Sequence, residues 1–331
     1  MSPRHLMLAV GLAVVWGVNF VVIEVGLGHF PPLLFSALRF LVAAVPAIFF
    51  LRSPGVPWRW VALVALTLGV LKFGLLFTGM AAGMPAGLSS LVLQTQAVFT
   101  AVFAVVLLRE RLSRQQVAGL VVALGGVGLI AFDLGATSPI GAFVLILGAA
   151  AMWGVSNVAM RRAAPPDTLR FMVWVSALAT LPLFALSAIV EGPQRGWDAL
   201  RTVTLPAAGA VLYVGIVATV VGFGVWGYLI RSYSASTVAP FSLLVPVFGM
   251  AASALLLDER LTPTRLLAAV LIIIGVLAGV VRGRTPAGRA HRPSDTPVSI
   301  PTGHTPSRGR QRLPRPSPRS RFLARSGRSR R

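Results

Sequence analysis

Residues 86–112 end in Leu-Leu-Arg-Glu-Arg-Leu and residues 235–261 end in Leu-Leu-Asp-Glu-Arg-Leu, so one stretch of the chain is written twice. A second echo sets Trp16-Gly17-Val18-Asn19 against Trp153-Gly154-Val155-Ser156-Asn157, which puts the start of each copy near the beginning of each half. Duplicated units of this length must bury their apolar faces against each other, and a duplicated hydrophobic bundle is a common plan for membrane transporters.

Composition decides which solvent the bundle faces. Hydrophobic residues make up 56% of the 331 and charged residues only 12%, against ~25% charged in a typical soluble domain. Apolar runs recur at about 6–27, 33–51, 60–79, 86–108, 115–132, 139–160, 169–190, 204–230, 236–257 and 264–281. Each is long enough to cross ~30 Å of hydrocarbon as a helix. Ten spans are therefore expected, joined by connections too short to hold a soluble catalytic domain. The first run is longer than a signal-peptide core and lacks a small-residue cleavage site, which makes it a retained helix.

Arginine placement sets the expected orientation. One alternating set of connections holds Arg4, Arg52, Arg59, Arg109, Arg111, Arg114, Arg161, Arg162 and Arg231; the other holds Arg195, Arg201, Arg260 and Arg265. The richer set belongs in the cytoplasm, with both termini. Five spans per unit is an odd number, so the second unit enters the membrane from the opposite side and the repeats are inverted in topology. The predicted organisation is an all-α membrane protein with a first repeat at 1–134, a second at 135–282 and a tail at 283–331.

That tail is chemically distinct. From Arg282 onward the chain has fourteen arginines and one aspartate among Pro, Ser, Gly and Thr, a composition that cannot bury a core. On the cytoplasmic side it suits anionic lipid headgroups or acts only as a solvated, topology-reinforcing tail. It has no aromatic interleaving, so specific nucleic-acid binding is not expected.

Ionisable side chains inside spans are costly and tend to face a cavity or a partner. Glu24, Arg39 and Lys72 are such residues, at depths of about 27, 21 and 18 Å from the cytoplasmic face at 1.5 Å per residue. They are predicted to meet in one cluster with an unbalanced positive charge, a natural counter-ion for a substrate carboxylate. Lys72 is the one lysine in a chain that otherwise uses arginine. The alternative is that Glu24 pairs with Arg39 near the surface and Lys72 snorkels or sits neutral.

Neutral polar groups supply further candidates. Ser89, Gln96 and Thr100 share one face of the fourth helix, with Gln94 pointing elsewhere; they line a path or only bond between helices. Asn19 and Asn157 need partners in apolar surroundings, and Trp16 and Trp153 beside them are cavity residues or interfacial anchors. Pro46, Pro182, Pro240 and Pro246 fall inside spans and permit bends, while Gly119, Ala123 and Gly275 allow close packing.

Absent motifs narrow the function. There is no Walker A loop, no paired aspartate cluster and no His-Glu-x-x-His pattern, and with no cysteine there is no thiolate chemistry. No catalytic residue, cofactor or metal site is expected.

Val15-Trp16-Gly17-Val18-Asn19-Phe20, Pro31-Pro32 with Leu38-Arg39-Phe40, and the Glu110 and Glu259 corners resemble the drug/metabolite transporter superfamily, in its ten-helix group of two EamA repeats. The likeness spans residues 6–281. Gly83 to Gln94 and Val238 to Leu261 are similar to the amino-acid-metabolite exporters of that group, of the O-acetylserine and cysteine kind. The resemblance implies a secondary transporter in the cell (inner) membrane that exports small amino-acid metabolites from the cytoplasm by alternating access. Proton antiport and facilitated efflux are both open, with Glu24 the first candidate proton carrier. Efflux of drugs or other small solutes is the alternative within the class, and a non-transporting scaffold acting through the basic tail is the alternative outside it. One chain holds both halves of a pathway, so a monomer suffices; a homodimer also fits.

Overall fold

The computed structural model describes residues 1–133, 140–233 and 235–280, and all regular structure among them is helical. The predicted basic tail lies outside the described residues. Ten long helices follow one another: α1 Pro3–Leu27, α2 Pro32–Ile48, α3 Trp58–Ala81, α4 Ala86–Leu108, α5 Arg114–Asp133, α6 Ile140–Ala163, α7 Thr168–Val190, α8 Leu205–Ser232, α9 at 235–256 and α10 Pro263–Val280. Eight are long and apolar enough to cross a membrane, and the apolar parts of α2 and α10, Pro32–Val45 and Pro263–Ala278, are shorter. Leu181, Ile189 and Leu255 are 77%, 80% and 81% exposed on the outside of the bundle. Apolar side chains presented outward from continuous helices suit hydrocarbon as the surrounding solvent.

Local chemistry starts the helices. Ser2 caps α1 by accepting from the His5 amide at 3.4 Å, with Pro3 in the first turn. Asp167 caps α7 through the Arg170 amide at 3.1 Å, and Thr204 caps α8 through Ala207 at 3.4 Å. Two helices borrow caps from the other half. Glu191 accepts from the Leu33 and Leu34 amides of α2 at 2.6 and 3.1 Å, and Glu259 accepts from Ala86 at 2.7 Å and Gly87 at 3.1 Å at the start of α4. A carboxylate on a helix N-terminus satisfies orphan donors and the positive end of the dipole together.

The duplication is visible in the backbone. α3 widens into a π-helical segment at Ala65–Lys72, and α8 does so at Tyr213–Val221. α4 tightens to a 3-10 turn at Leu93–Thr95, and α9 tightens at Ala239–Leu244. In α9 the cause is in the sequence: Pro240 has no N–H and Pro246 opens the following α-helical segment. α4 has no proline there; hydroxyls bond back to carbonyls three residues earlier, Ser90 to Gly87 at 2.6 Å and Thr95 to Val92 at 2.8 Å.

The halves interlock through glycine. A Cβ on Gly17 of α1 would lie 2.6 Å from Phe248 Cβ of α9, and a Cβ on Gly154 of α6 would lie 2.8 Å from Phe99 Cβ of α4. α5 and α10 meet the same way, with Gly126 against Ile272 and Gly275 against Gly119 and Ala123. Such close approaches let backbones pack where no hydrophobic force holds helices together.

The bundle thus has two distinct ends. At the start of α1, His5 bonds Tyr233 at 2.7 Å and Tyr228 at 3.0 Å, and Arg161 pairs with Glu110. At the other end lie the Glu191 and Glu259 caps over buried Phe30, Phe35, Met84 and Leu88.

Candidate substrate cavity

Between the halves lies a cavity of about 310 Å³, walled by α1, α2, α3 and α4 from the first half and α6, α8 and α9 from the second. That is at the small end of the ~300–1,000 Å³ usual for small-molecule sites. It extends from mid-bundle toward the α1 start, where Met160, Trp226 and Ala239 line it.

Two cations define one wall. Arg39 on α2 and Lys72 on α3 are 3% and 4% exposed. Both stand against the ring of Phe73, with Arg39 Cζ 3.8 Å and Lys72 Nζ 3.3 Å from its centroid; Lys72 also lies 4.7 Å from the Trp153 ring. The aromatic quadrupole favours both. Arg39 Nη2 donates to Thr219 Oγ1 at 2.7 Å, while its Nε and Nη1 are buried without a partner. No carboxylate is among the lining residues.

The widened turns explain how these groups arrive. Lys72 ends the π segment of α3, and Thr219 lies within that of α8, its hydroxyl donating to the Val214 carbonyl five residues back at 2.8 Å. π turns often mark functional sites because they shift side chains off the regular helical face.

The facing wall is neutral. Asn157 Nδ2 donates to Gln96 Oε1 at 2.6 Å and to Thr100 Oγ1 at 3.0 Å. Gln94 Nε2 reaches the Ser242 carbonyl at 3.2 Å, joining the two tightened turns of α4 and α9. Trp16 is fixed by its Nε1 donating to the Ala218 carbonyl at 2.9 Å, with the Trp226 and Phe223 rings 5.5 and 5.8 Å away. Asn19 lines the cavity with its Oδ1 buried and unpartnered.

Of the residues singled out from the sequence, Trp16, Asn19, Arg39, Lys72, Gln96, Trp153 and Asn157 line this cavity, and Thr100 braces its wall. Ser89 does not. It is fully buried and donates to the Met84 carbonyl at 3.4 Å, while Gln94, expected to point elsewhere, is in the wall. Ser89 lies near the capped start of α4, and the tightened turn at Leu93–Thr95, which contains Gln94 and advances each residue by ~120° in place of ~100°, brings Gln94 and Gln96 closer to one face.

Glu24 also departs from the expected cluster. It is not in the cavity wall, no described ion pair joins it to Arg39, and its Oε2 is buried without a partner. The charge it feels is that of Glu259 at the capped end of the bundle. Depth along the helices was comparable, but the carboxylate faces another set of neighbours. Thr219, Phe73, Phe223 and Trp226 were not singled out; aromatic residues in apolar helices carry no contrast, and only Thr219, a polar side chain deep in a span, left a signal.

A larger hollow of about 690 Å³ lies at the capped end, lined by His29, Glu191, Arg195, Asp198 and Thr202 among others. Its carboxylate Glu191 is engaged in holding α2, and no wall of it comes from α4, α6 or α9. Both hollows take walls from both halves, but of the two it is the mid-bundle cavity that holds buried Arg39 and Lys72 and meets the tightened turns of α4 and α9.

A multi-pass helical bundle with duplicated backbone breaks around a shared internal cavity defines a membrane transporter of the two-repeat kind. The chain belongs to the EamA-like transporter family, whose model matches residues 4–132 and again 140–280. It is 41% identical over 286 residues to a probable amino-acid metabolite efflux pump of Escherichia coli (strain K12), covering 85% of this chain and 96% of that one. It is 42% identical to a protein of the same description from Salmonella typhimurium, with the same coverage. A solved crystal structure with 22% identity aligns at a TM-score of 0.58 over 86% of this chain and all of the other, a likeness of fold alone.

Proposed function

We propose that this transporter exports small amino-acid metabolites from the cytoplasm across the cell membrane by alternating access, without chemical conversion of its cargo. The observation that carries the proposal is the cavity walled by both repeats, with Arg39 and Lys72 buried against Phe73 and amides and indoles completing the lining. A substrate carboxylate suits the cations, and the relatives' description supports amino-acid metabolites as the class.

In this proposal all ten helices span, the repeats at 1–134 and 135–282 are inverted, and both termini and the 283–331 tail are cytoplasmic. The cavity then reaches toward the cytoplasm, and the Glu259 cap on α4 seals the outer end. Release to the outside requires that cap to part while α6 and α8 close over the inner end. The tightened turns of α4 and α9 are natural hinges. Trp16, Asn19, Arg39, Lys72, Gln96, Trp153 and Asn157 contact the solute, with Thr100 behind them.

If export is coupled to protons, Glu24 is the first carrier, and Glu24→Gln abolishes the pH dependence of efflux; unchanged pH dependence removes that role. The function itself is tested by counterflow of labelled cysteine, O-acetylserine and neutral amino acids in proteoliposomes. Saturable exchange supports it. Exchange only of bulky apolar drugs would move the function to drug efflux, which the aromatic lining from Trp16, Phe20, Phe223 and Trp226 would then explain.

A further inference from the structure

The export cycle proposed above includes states in which no solute is bound, and in those states the cations of the cavity have only the protein to answer them. Arg39 and Lys72 are both more than nine-tenths buried and stand against the ring of Phe73. A ring face eases the burial of a cation but leaves its charge in place. No carboxylate is among the lining residues, and the described ion pairs of Glu110, Asp133 and Asp167 lie elsewhere.

A buried lysine can relieve its burial by losing its proton, but an arginine cannot. Arg39 therefore keeps its charge through the whole cycle. Its one described hydrogen bond is to the neutral Thr219, and Nε and Nη1 are buried with no partner. A neutral donor stands in the same lining: Gln96 Oε1 accepts from Asn157 at 2.6 Å, which leaves the Gln96 amide NH2 to donate. The ring faces of Trp16, Phe223 and Trp226 and the unpartnered Asn19 Oδ1 suit an ammonium. A bound amino acid thus answers both kinds of group. Between solutes the cations and donors still call for an acceptor, and a buried charge is tolerated when it is paired.

We infer that the solute-free Arg39–Lys72 cavity takes up a monovalent inorganic anion, chloride or a larger and less hydrated one, and that a solute carboxylate enters by displacing it. The cost of desolvation rises steeply with charge, so sulfate and phosphate stay in water, while about 310 Å³ accommodates a single halide. The anion site stands on the geometry of the cavity; its competition with solute rests on the export function proposed above. The anion then acts as a regulator, since its concentration sets how much of the carrier is free to load.

Iodide is the probe for binding, because it quenches indole fluorescence and the Trp153 ring lies 4.7 Å from Lys72 Nζ. Wild-type protein in detergent is titrated with iodide at constant ionic strength, balanced by isethionate. The inference predicts a saturable component above the linear quenching of exposed tryptophans, displaced by chloride and absent from Arg39→Gln. Competition is read in proteoliposomes by counterflow of labelled cysteine, O-acetylserine and neutral amino acids in chloride against isethionate. Chloride should raise KM by the factor 1 + [anion]/Kd, about twofold when chloride equals its Kd, with kcat unchanged. Should Arg39→Gln not fold, the wild-type titration and the two salts decide alone. Linear quenching indifferent to chloride, or the same KM in both salts, overturns the inference and leaves export standing. Saturable, chloride-displaced quenching without exchange of any of these solutes supports the anion site and overturns the export function.

Discussion

In the first half the widened turn at Ala65–Lys72 delivers a lysine to the cavity, and in the second half the matching turn at Tyr213–Val221 delivers a threonine that holds Arg39. The tightened turns match in the same way, and so do the glycine crossings at Gly17 and Gly154. The chemistry does not match. Both cavity cations come from α2 and α3, while α6, α8 and α9 contribute only neutral groups. Duplication has kept the frame of backbone breaks in both halves, while the two buried basic side chains of the cavity lie in the first half.

The largest effect expected from this contrast is on flux. Arg39→Gln or Lys72→Gln removes a charged hydrogen-bonding partner worth ~1.5–3 kcal/mol, so transport of a carboxylate falls by about 10- to 150-fold. Kinetics in proteoliposomes check this. If Ser242→Ala in the second half lowered flux as much, the division of labour between the halves would be broken.

Stability sharpens the other side of the comparison. Gly17→Val and Gly154→Val overpack equivalent crossings, and each is expected to cost ~1–3 kcal/mol, by similar amounts, in thermal unfolding in detergent. Strongly unequal losses would show that the frame is less symmetric than its geometry. Glu259→Gln weakens a charged cap on α4 and is expected to cost ~1 kcal/mol, read in the same assay.

Smaller effects come from the amide wall. Asn157→Ala removes interhelical bonds to Gln96 and Thr100, with an expected loss of ~0.6 kcal/mol. Deleting residues 283–331 is expected to leave flux unchanged in proteoliposomes; a loss of flux would give the tail a part in transport.

Much of this architecture is written in the residue order. The apolar runs, the doubled Glu-Arg-Leu corners and the Trp-Gly-Val echo follow from span length and self-similarity, and they point to helices that the structure contains. Buried ionisable and amide groups stand out against apolar helices, which is why Arg39, Lys72, Asn19, Gln96 and Asn157 were legible as cavity candidates. What stayed hidden depends on rotation about the helix axis. A 3-10 turn at Leu93–Thr95 carries Gln94 in the cavity wall while Ser89 is buried nearer the capped start of the helix, and nothing local in α4 resembles the prolines that announce the same turn in α9. Glu24 is close in depth to Arg39 but does not share its cavity, and the carboxylate whose charge reaches it, Glu259, lies 235 residues away in the chain. The aromatic faces of Phe73, Phe223 and Trp226 are indistinguishable from core until the helices are packed.

The cavity as the transport route, open toward the cytoplasm and closed under the Glu259 cap, is tested most directly by a single introduced thiol. The chain has no cysteine, so Met160→Cys in the cavity wall reports alone. A membrane-impermeant maleimide applied to inside-out vesicles should label it, the same reagent on right-side-out vesicles should label it far more slowly, and an exchanged solute should protect it. Labelling from the outer face alone, or labelling indifferent to every exchanged solute, would contradict the account.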